Sequence, residues 1–181
     1  MSRRPETGGD LRDAAVLVPV FRDTQGVARL VMVRRTEGGR HGGQLAFPGG
    51  NVDASDASLR DTALREAHEE IGLPRDAVTV LEALPALVTR TTGYRIAPFL
   101  GRILRPETWT PEPREVAEVL ELDLEELARP ESFGESVEML SDWPDPVRIE
   151  YYRVGPYRLW GASYHILRPV LPRLIAGEWE F

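Results

Sequence analysis

The stretch Leu64-Arg65-Glu66-Ala67-His68-Glu69-Glu70-Ile71-Gly72-Leu73 constrains the fold more than any other part of the chain. At about 100° per residue, Leu64, Ala67 and Ile71 share one arc of a helix, and Glu66, Glu69 and Glu70 fall on another. The spacing predicts a helix over residues 57–71, capped by Asp56 or Ser55 and stopped by Gly72. Its apolar arc needs a sheet to pack on. Its acidic arc needs a countercharge, because like charges at these spacings each cost about 0.2–0.5 kcal/mol. Arg65 reaches Glu69 at i+4 and supplies part of it. A hard divalent cation, Mg²⁺ or Mn²⁺, suits the remainder. The plainer reading is a solvated acidic face. Pro48-Gly49-Gly50, ending a strand just upstream, favours a site, since backbone groups at a strand-to-helix junction approach polyanions.

The rest of the chain supplies the sheet. Apolar runs at residues 14–21 and 28–33 flank a polar turn and read as a hairpin. Residues 34–43 are charged and glycine-laden, a loop; residues 44–50 form a short strand. Further strands are expected at 78–86 and 94–103, a short acidic helix at 122–127 and a last hairpin at 149–154 and 157–160. A final helix spans 163–176, with Pro169 and Pro172 expected to kink or shorten it. This order predicts an α/β (α+β) fold with a mixed sheet and helices on its faces. Residues 1–12 are expected to be a flexible tail and 13–181 one domain.

Composition narrows the chemistry. All 22 basic residues are arginine, there is no cysteine, and the histidines are only His41, His68 and His165. Lysine Schiff bases, P-loops of the GK[ST] type, thiol nucleophiles, disulfides and thiolate zinc sites are therefore excluded. No apolar run approaches the roughly 20 residues of a membrane-spanning helix. With net charge −7, the chain lacks the clustered positive charge of a nucleic-acid binder. A cytoplasmic protein with neither membrane nor nucleic-acid partners is expected. Strand pairing or a swapped N-terminal segment would be its routes to a homodimer.

Residues 65–73 resemble the second half of the Nudix hydrolase signature, G-x5-E-x7-R-E-U-x-E-E-x-G-U, where U is a bulky aliphatic. Ala67 is small for its U position. Asp56 stands where the first half has Glu, and Arg65 comes one residue late, so the loop after Gly50 is one residue longer. Upstream, Arg35, Arg40, Gly43 and Phe47-Pro48-Gly49-Gly50 resemble the extra motif of the coenzyme A pyrophosphatase branch, L-L-T-x-R-[SA]-x3-R-x3-G-x3-F-P-G-G. Val31-Met32-Val33 replaces L-L-T, Thr36 replaces Ser or Ala, and two residues separate Arg40 from Gly43. Residues 93–98, 115–119 and 160–162 also resemble segments of that branch.

The resemblance implies a Nudix-like α/β/α sandwich and a small CoA-like nucleotide substrate, hydrolysed at its pyrophosphate to 3′,5′-ADP and 4′-phosphopantetheine. It implies Glu66 and Glu70 as metal ligands with Glu69 as a further one, and Arg65 orienting them. Arg35, Arg40, Phe47, Gly49 and Gly50 would meet the substrate, the arginines gripping phosphate. The general base would be one of the three helix glutamates or an acid from a distant loop, for which Glu115 and Glu118 are the candidates. The alternatives are a Nudix pyrophosphatase for ADP-ribose or NADH, and a non-catalytic nucleotide-sensing module. Retention of all three glutamates favours catalysis. His41 and His68 read as incidental surface residues, and His165 as a core residue.

Overall fold

A computed structural model describes residues 11–38, 41–89, 92–140 and 143–181. Its central strand β1 (Arg12–Arg22) turns back through Asp23, whose carboxylate accepts the Gln25 and Val27 N–H groups, into β2 (Ala28–Arg35). The chain continues through β3 (Leu45–Ala46), β4 (Gly49–Asn51), α1 (Leu59–Ile71), β5 (Val78–Ala83), β6 (Leu87–Val88) and β7 (Tyr94–Ile103). Then come β8 (Val116–Asp123), α2 (Leu124–Leu127), β9 (Phe133–Glu138), β10 (Val147–Val154), β11 (Tyr157–Leu159) and α3 (Gly161–Ile175).

Strands β3-β2-β1-β7-β5 lie in that order, with β4 also pairing β1, β6 pairing β7 and β8 pairing β2. Only the β1–β7 pair is parallel among those described, so the sheet is mixed as expected. Strand alternation splits the core across this sheet. Ala15, Leu17, Val31 and Val33 face Ala63, Leu64, Ala67 and Ile71 of α1. Val18, Val20, Leu30 and Met32 face the opposite way, toward Leu167, Val170 and Leu171 of α3. The sheet is thus the middle layer of an α/β/α arrangement. No helix of the described residues is long and apolar enough to cross a membrane.

Several boundaries differ from expectation. The expected single strand 44–50 is two, because Gly49–Asn51 pairs with β1 on its own. Residues 78–86 stop being strand at Ala83, and Leu87–Val88 pairs separately. Arg12 already pairs with Tyr94, so regular structure begins inside the expected tail. Ser58 caps α1, its hydroxyl accepting the Asp61 N–H, which leaves Asp56 free for another task. The helix α3 runs unshortened through Pro169 and Pro172. Strands β8 and β9 were not expected; β9 and β11 flank β10 in a second, antiparallel sheet.

Candidate functional site

The site lies where β4 leaves β1 and α1 crosses the sheet. At Gly49 a side chain would collide with the backbone of Ala15 and Val16, and φ is 158°, so the close pairing of β4 with β1 requires glycine here. That approach aims the Gly49 N–H at Glu70 Oε2, 3.0 Å away. At Gly50 a Cβ would sit 2.6 Å from the Glu66 carboxylate. The two glycines therefore form a wall against which Glu66 and Glu70, one helical turn apart, bring their carboxyl groups.

Glu70 is only 4% exposed. Burial pushes its pKa up to about 7, against the lowering effects of the Gly49 N–H and of the Arg35 charge. Glu66 is also raised, again chiefly by burial, with Arg65 opposing. The Glu66 charge raises the cost of ionising Glu70, the Glu69 charge does the same to Glu66, and Glu115 acts on both. A cation entering here would meet two poorly hydrated carboxylates that repel each other.

Arg65 organises the other side. Its Nε and Nη2 donate to the two oxygens of Asp56, each at 2.9 Å, and Nη2 also reaches the Asn51 carbonyl at 3.0 Å. Its Nη1 donates to Glu66 Oε1 and Glu69 Oε2, both at 2.9 Å. The Asp56 carboxylate is further held by the Asp53 N–H and the Thr62 hydroxyl. These contacts, Arg65 foremost, hold its carboxyl well below the usual carboxylate range. Asp56 is thus committed to Arg65, and one guanidinium links it to Glu66.

The expected residues do not all converge. Glu69 is exposed and turned toward Arg65, so the three-glutamate arc becomes a pair plus an outward partner. Among the described residues no three acids or histidines gather closely enough to cage a cation by themselves. Two carboxylates still fit Mg²⁺, which commonly keeps several waters and takes one or two protein carboxylates plus substrate phosphates.

Arg35, at the end of β2, acts on Glu70 by its charge. Arg40 lies outside the described residues. The Gly49 N–H, expected to meet substrate, is taken up by Glu70. Phe47 is a correction: it is 3% exposed in the core with Leu45 and Tyr164, so its ring offers no open face to a base. Glu115 immediately precedes β8 and its charge reaches both Glu66 and Glu70. Glu118 instead accepts from Arg34 at 3.3 Å and from the Tyr157 hydroxyl at 3.0 Å, a separate cluster. His41 and His68 are exposed as expected; His165 is exposed rather than buried, edge-on to Tyr164.

Sequence reasoning missed Thr62. The available signal was a lone hydroxyl among alanine and leucine neighbours on the packed side of α1.

A three-layer α/β/α fold with paired carboxylates beside a glycine wall defines the class, and the comparisons agree. The family model described as NUDIX domain matches residues 11–143. The Nudix hydrolase NudL of Enterobacter sp. (strain 638) is 36% identical over 168 residues, covering 91% of this chain and 85% of its own. The crystal structure of RenU, a Nudix hydrolase from M. smegmatis, superposes with TM-score 0.54 at 26% identity, over 65% of this chain and 73% of that one. The MutT protein from Methanosarcina mazei Go1 shares the fold at TM-score 0.56 and 15% identity, over 96% of this chain and all of its own. The chain belongs to the Nudix family and stands among its hydrolases.

Proposed function

We propose that this chain hydrolyses the pyrophosphate bond of coenzyme A or a close derivative, releasing 3′,5′-ADP and 4′-phosphopantetheine. The observation that carries the hydrolytic reading is the pairing of half-buried Glu66 with buried Glu70, braced by Arg65 on one side and the Gly49 N–H on the other. The substrate reading rests on the Arg35, Gly43 and Phe47-Pro48-Gly49-Gly50 segment of the sequence, with Arg35 close enough to act on Glu70.

Glu66 and Glu70 would hold the metal, with Glu69 able to join by leaving Arg65. When bound, Mg²⁺ or Mn²⁺ supplies neutralisation of phosphate charge and a more acidic water. Glu115 takes the proton of the attacking water, and a new P–O bond forms as the bridging P–O bond breaks. Arg65 keeps Glu66 oriented throughout. Arg35 and Arg40 grip phosphate, the 3′-phosphate of coenzyme A included.

The test is a panel of CoA, dephospho-CoA, ADP-ribose and NADH with Mg²⁺ or Mn²⁺, products resolved by chromatography. CoA should be cleaved fastest, and Glu66→Gln or Glu70→Gln should reduce turnover to background while the protein stays folded. Equal rates on CoA and dephospho-CoA would remove the 3′-phosphate contact. Full activity in both variants would sink the metal assignment.

A further inference from the structure

The helix that carries the acid pair has one buried hydroxyl that the reaction does not use. Thr62 is fully buried beside Ala63 on α1. Its Oγ1 lies 2.8 Å from Asp56 Oδ2 and 3.3 Å from the Ser58 carbonyl. The single hydroxyl proton goes to the shorter contact, whose acceptor is charged. Asp56 Oδ2 also accepts from the Asp53 N–H at 2.9 Å and from Arg65 Nη2 at 2.9 Å, while Oδ1 accepts from Arg65 Nε. Asp53 belongs to the same loop as Asp56 and moves with it. Thr62 belongs to α1, one turn before Glu66, and so ties that loop to the helix bearing the acids.

We propose that Thr62 is a positioning residue: through Asp56 it fixes the Arg65 guanidinium, and through Arg65 the direction of Glu66. The guanidinium is planar and rigid. Turning its Nε–Nη2 edge to follow a displaced Asp56 therefore swings Nη1 away from Glu66 Oε1. The other bonds to Asp56, from the Asp53 N–H and from its own N–H to the Asp53 carbonyl, stay within the loop, so among the described residues Thr62 and Arg65 are what tie its carboxylate to α1. The consequence for a cation rests on the reading of Glu66 and Glu70 as its ligands. The consequence for Arg65 does not.

Two measurements separate these. The ¹H–¹⁵N signal of Arg65 Nε–H, assigned with Arg65→Lys, reports the guanidinium. Titration of metal-free protein with Mn²⁺ by calorimetry reports the acid pair. Thr62→Ser should retain both properties. Thr62→Val, nearly the same shape without the hydroxyl, should lose the protected Nε–H signal and bind Mn²⁺ about 10- to 100-fold more weakly. A Thr62→Val protein indistinguishable from wild type in both measurements overturns the proposal. Wild-type protein that binds no Mn²⁺, but whose Arg65 signal depends on the Thr62 hydroxyl, supports the positioning and removes the metal reading instead. Thermal unfolding checks that each variant is folded; if Thr62→Val is not, Thr62→Ala answers the same two measurements.

Discussion

The Arg65 guanidinium grips the Asp56 carboxylate with two parallel hydrogen bonds of 2.9 Å, and both side chains are largely buried. Asp56→Asn keeps the shape but leaves part of the Arg65 charge without its partner. Breaking such a pair should lower the unfolding temperature at pH 7 by about 5–10 °C. Because Arg65 depresses the Asp56 pKa, the stabilisation is fully present above the unfolded value of about 3.9 and fades as pH falls below it. Thermal melts followed by circular dichroism from pH 3 to 8 should show the gap between variant and wild type beginning to narrow below about pH 4. A gap of constant size would mean that the pair contributes through shape alone.

The Glu70 carboxyl gives the opposite slope. Burial raises it from 4.5 to about 7, so the folded, metal-free protein holds a proton that the unfolded chain releases. Stability is then greatest below about pH 4.5 on this account and falls as pH rises through 7. The loss by pH 8 is about 3 kcal/mol. Glu70→Gln should abolish that slope and unfold at a higher temperature than wild type at pH 8 in EDTA. Adding Mg²⁺ should stabilise only the wild type. An unchanged melting temperature in Glu70→Gln would show that the buried carboxylate is better hydrated than its 4% exposure implies.

Gly49 and Gly50 are neighbours with different obligations. Alanine at position 49 meets the backbone of β1, which cannot move without opening the sheet, and the protein should not fold. Alanine at position 50 meets the end of the Glu66 side chain, which can swing aside. Gly50→Ala should therefore melt close to wild type yet lose most metal-dependent turnover. A Gly50→Ala enzyme of normal activity would place the working position of Glu66 elsewhere.

Local patterns made α1, its Gly72 stop and the β1–β2 hairpin legible, since their defining contacts lie within one or two turns of chain. Strand β8 was hidden because its partner, β2, is some eighty residues away: Arg34 pairs with Glu118. Its register also shifts opposite Arg34 and Arg35, so Val116 and Val119 pack on the α1 side with Leu120 on the other, and no period-two pattern is left to read. Strand β9, with Gly134, Glu135, Ser136 and Glu138 among its six residues, carries too little apolar pattern to be read alone. The acid pair followed from helical spacing. The fate of Asp56 did not, because it depends on a bend in which the Asp53 carbonyl accepts the Asp56 N–H. Phe47 sits inside a motif yet faces the core, since a two-residue strand decides which side it takes.

On the far side of the sheet, Tyr164 is buried with a hydroxyl that meets no hydrogen-bond partner among the described residues. Burial pushes its pKa up to about 12, and the neighbouring Glu150 is held by Arg168 at 3.1 Å. Tyr164→Phe removes the unpaired oxygen and retains the ring contact with Tyr152. It should stabilise the fold by about 1 kcal/mol in urea unfolding, with activity unchanged. Destabilisation would indicate that the hydroxyl is satisfied, by the neighbouring Glu150 carboxylate or by an ordered water.

Glu115 and Glu118 both lie near the start of β8, but the geometry separates them. The carboxylate of Glu118 is engaged by Arg34 and the Tyr157 hydroxyl, contacts that join β8 to β2 and β11. The charge of Glu115 instead acts on Glu66 and Glu70. The approach to Glu115 is fixed by hydrogen bonds from Thr110 N–H to the Ile71 carbonyl and from Glu112 N–H to the Glu70 carbonyl. The loop before β8 thus docks on the end of the helix that carries the acid pair, and Glu115 shares its frame. Glu115→Gln should reduce kcat by about 10²- to 10⁴-fold with little change in KM, as loss of a general base does. Glu118→Gln should leave kcat within a small factor of wild type and lower the unfolding temperature slightly. Steady-state kinetics on the preferred substrate at saturating Mg²⁺ decide between them, and a larger kcat defect in Glu118→Gln would transfer the base to that residue.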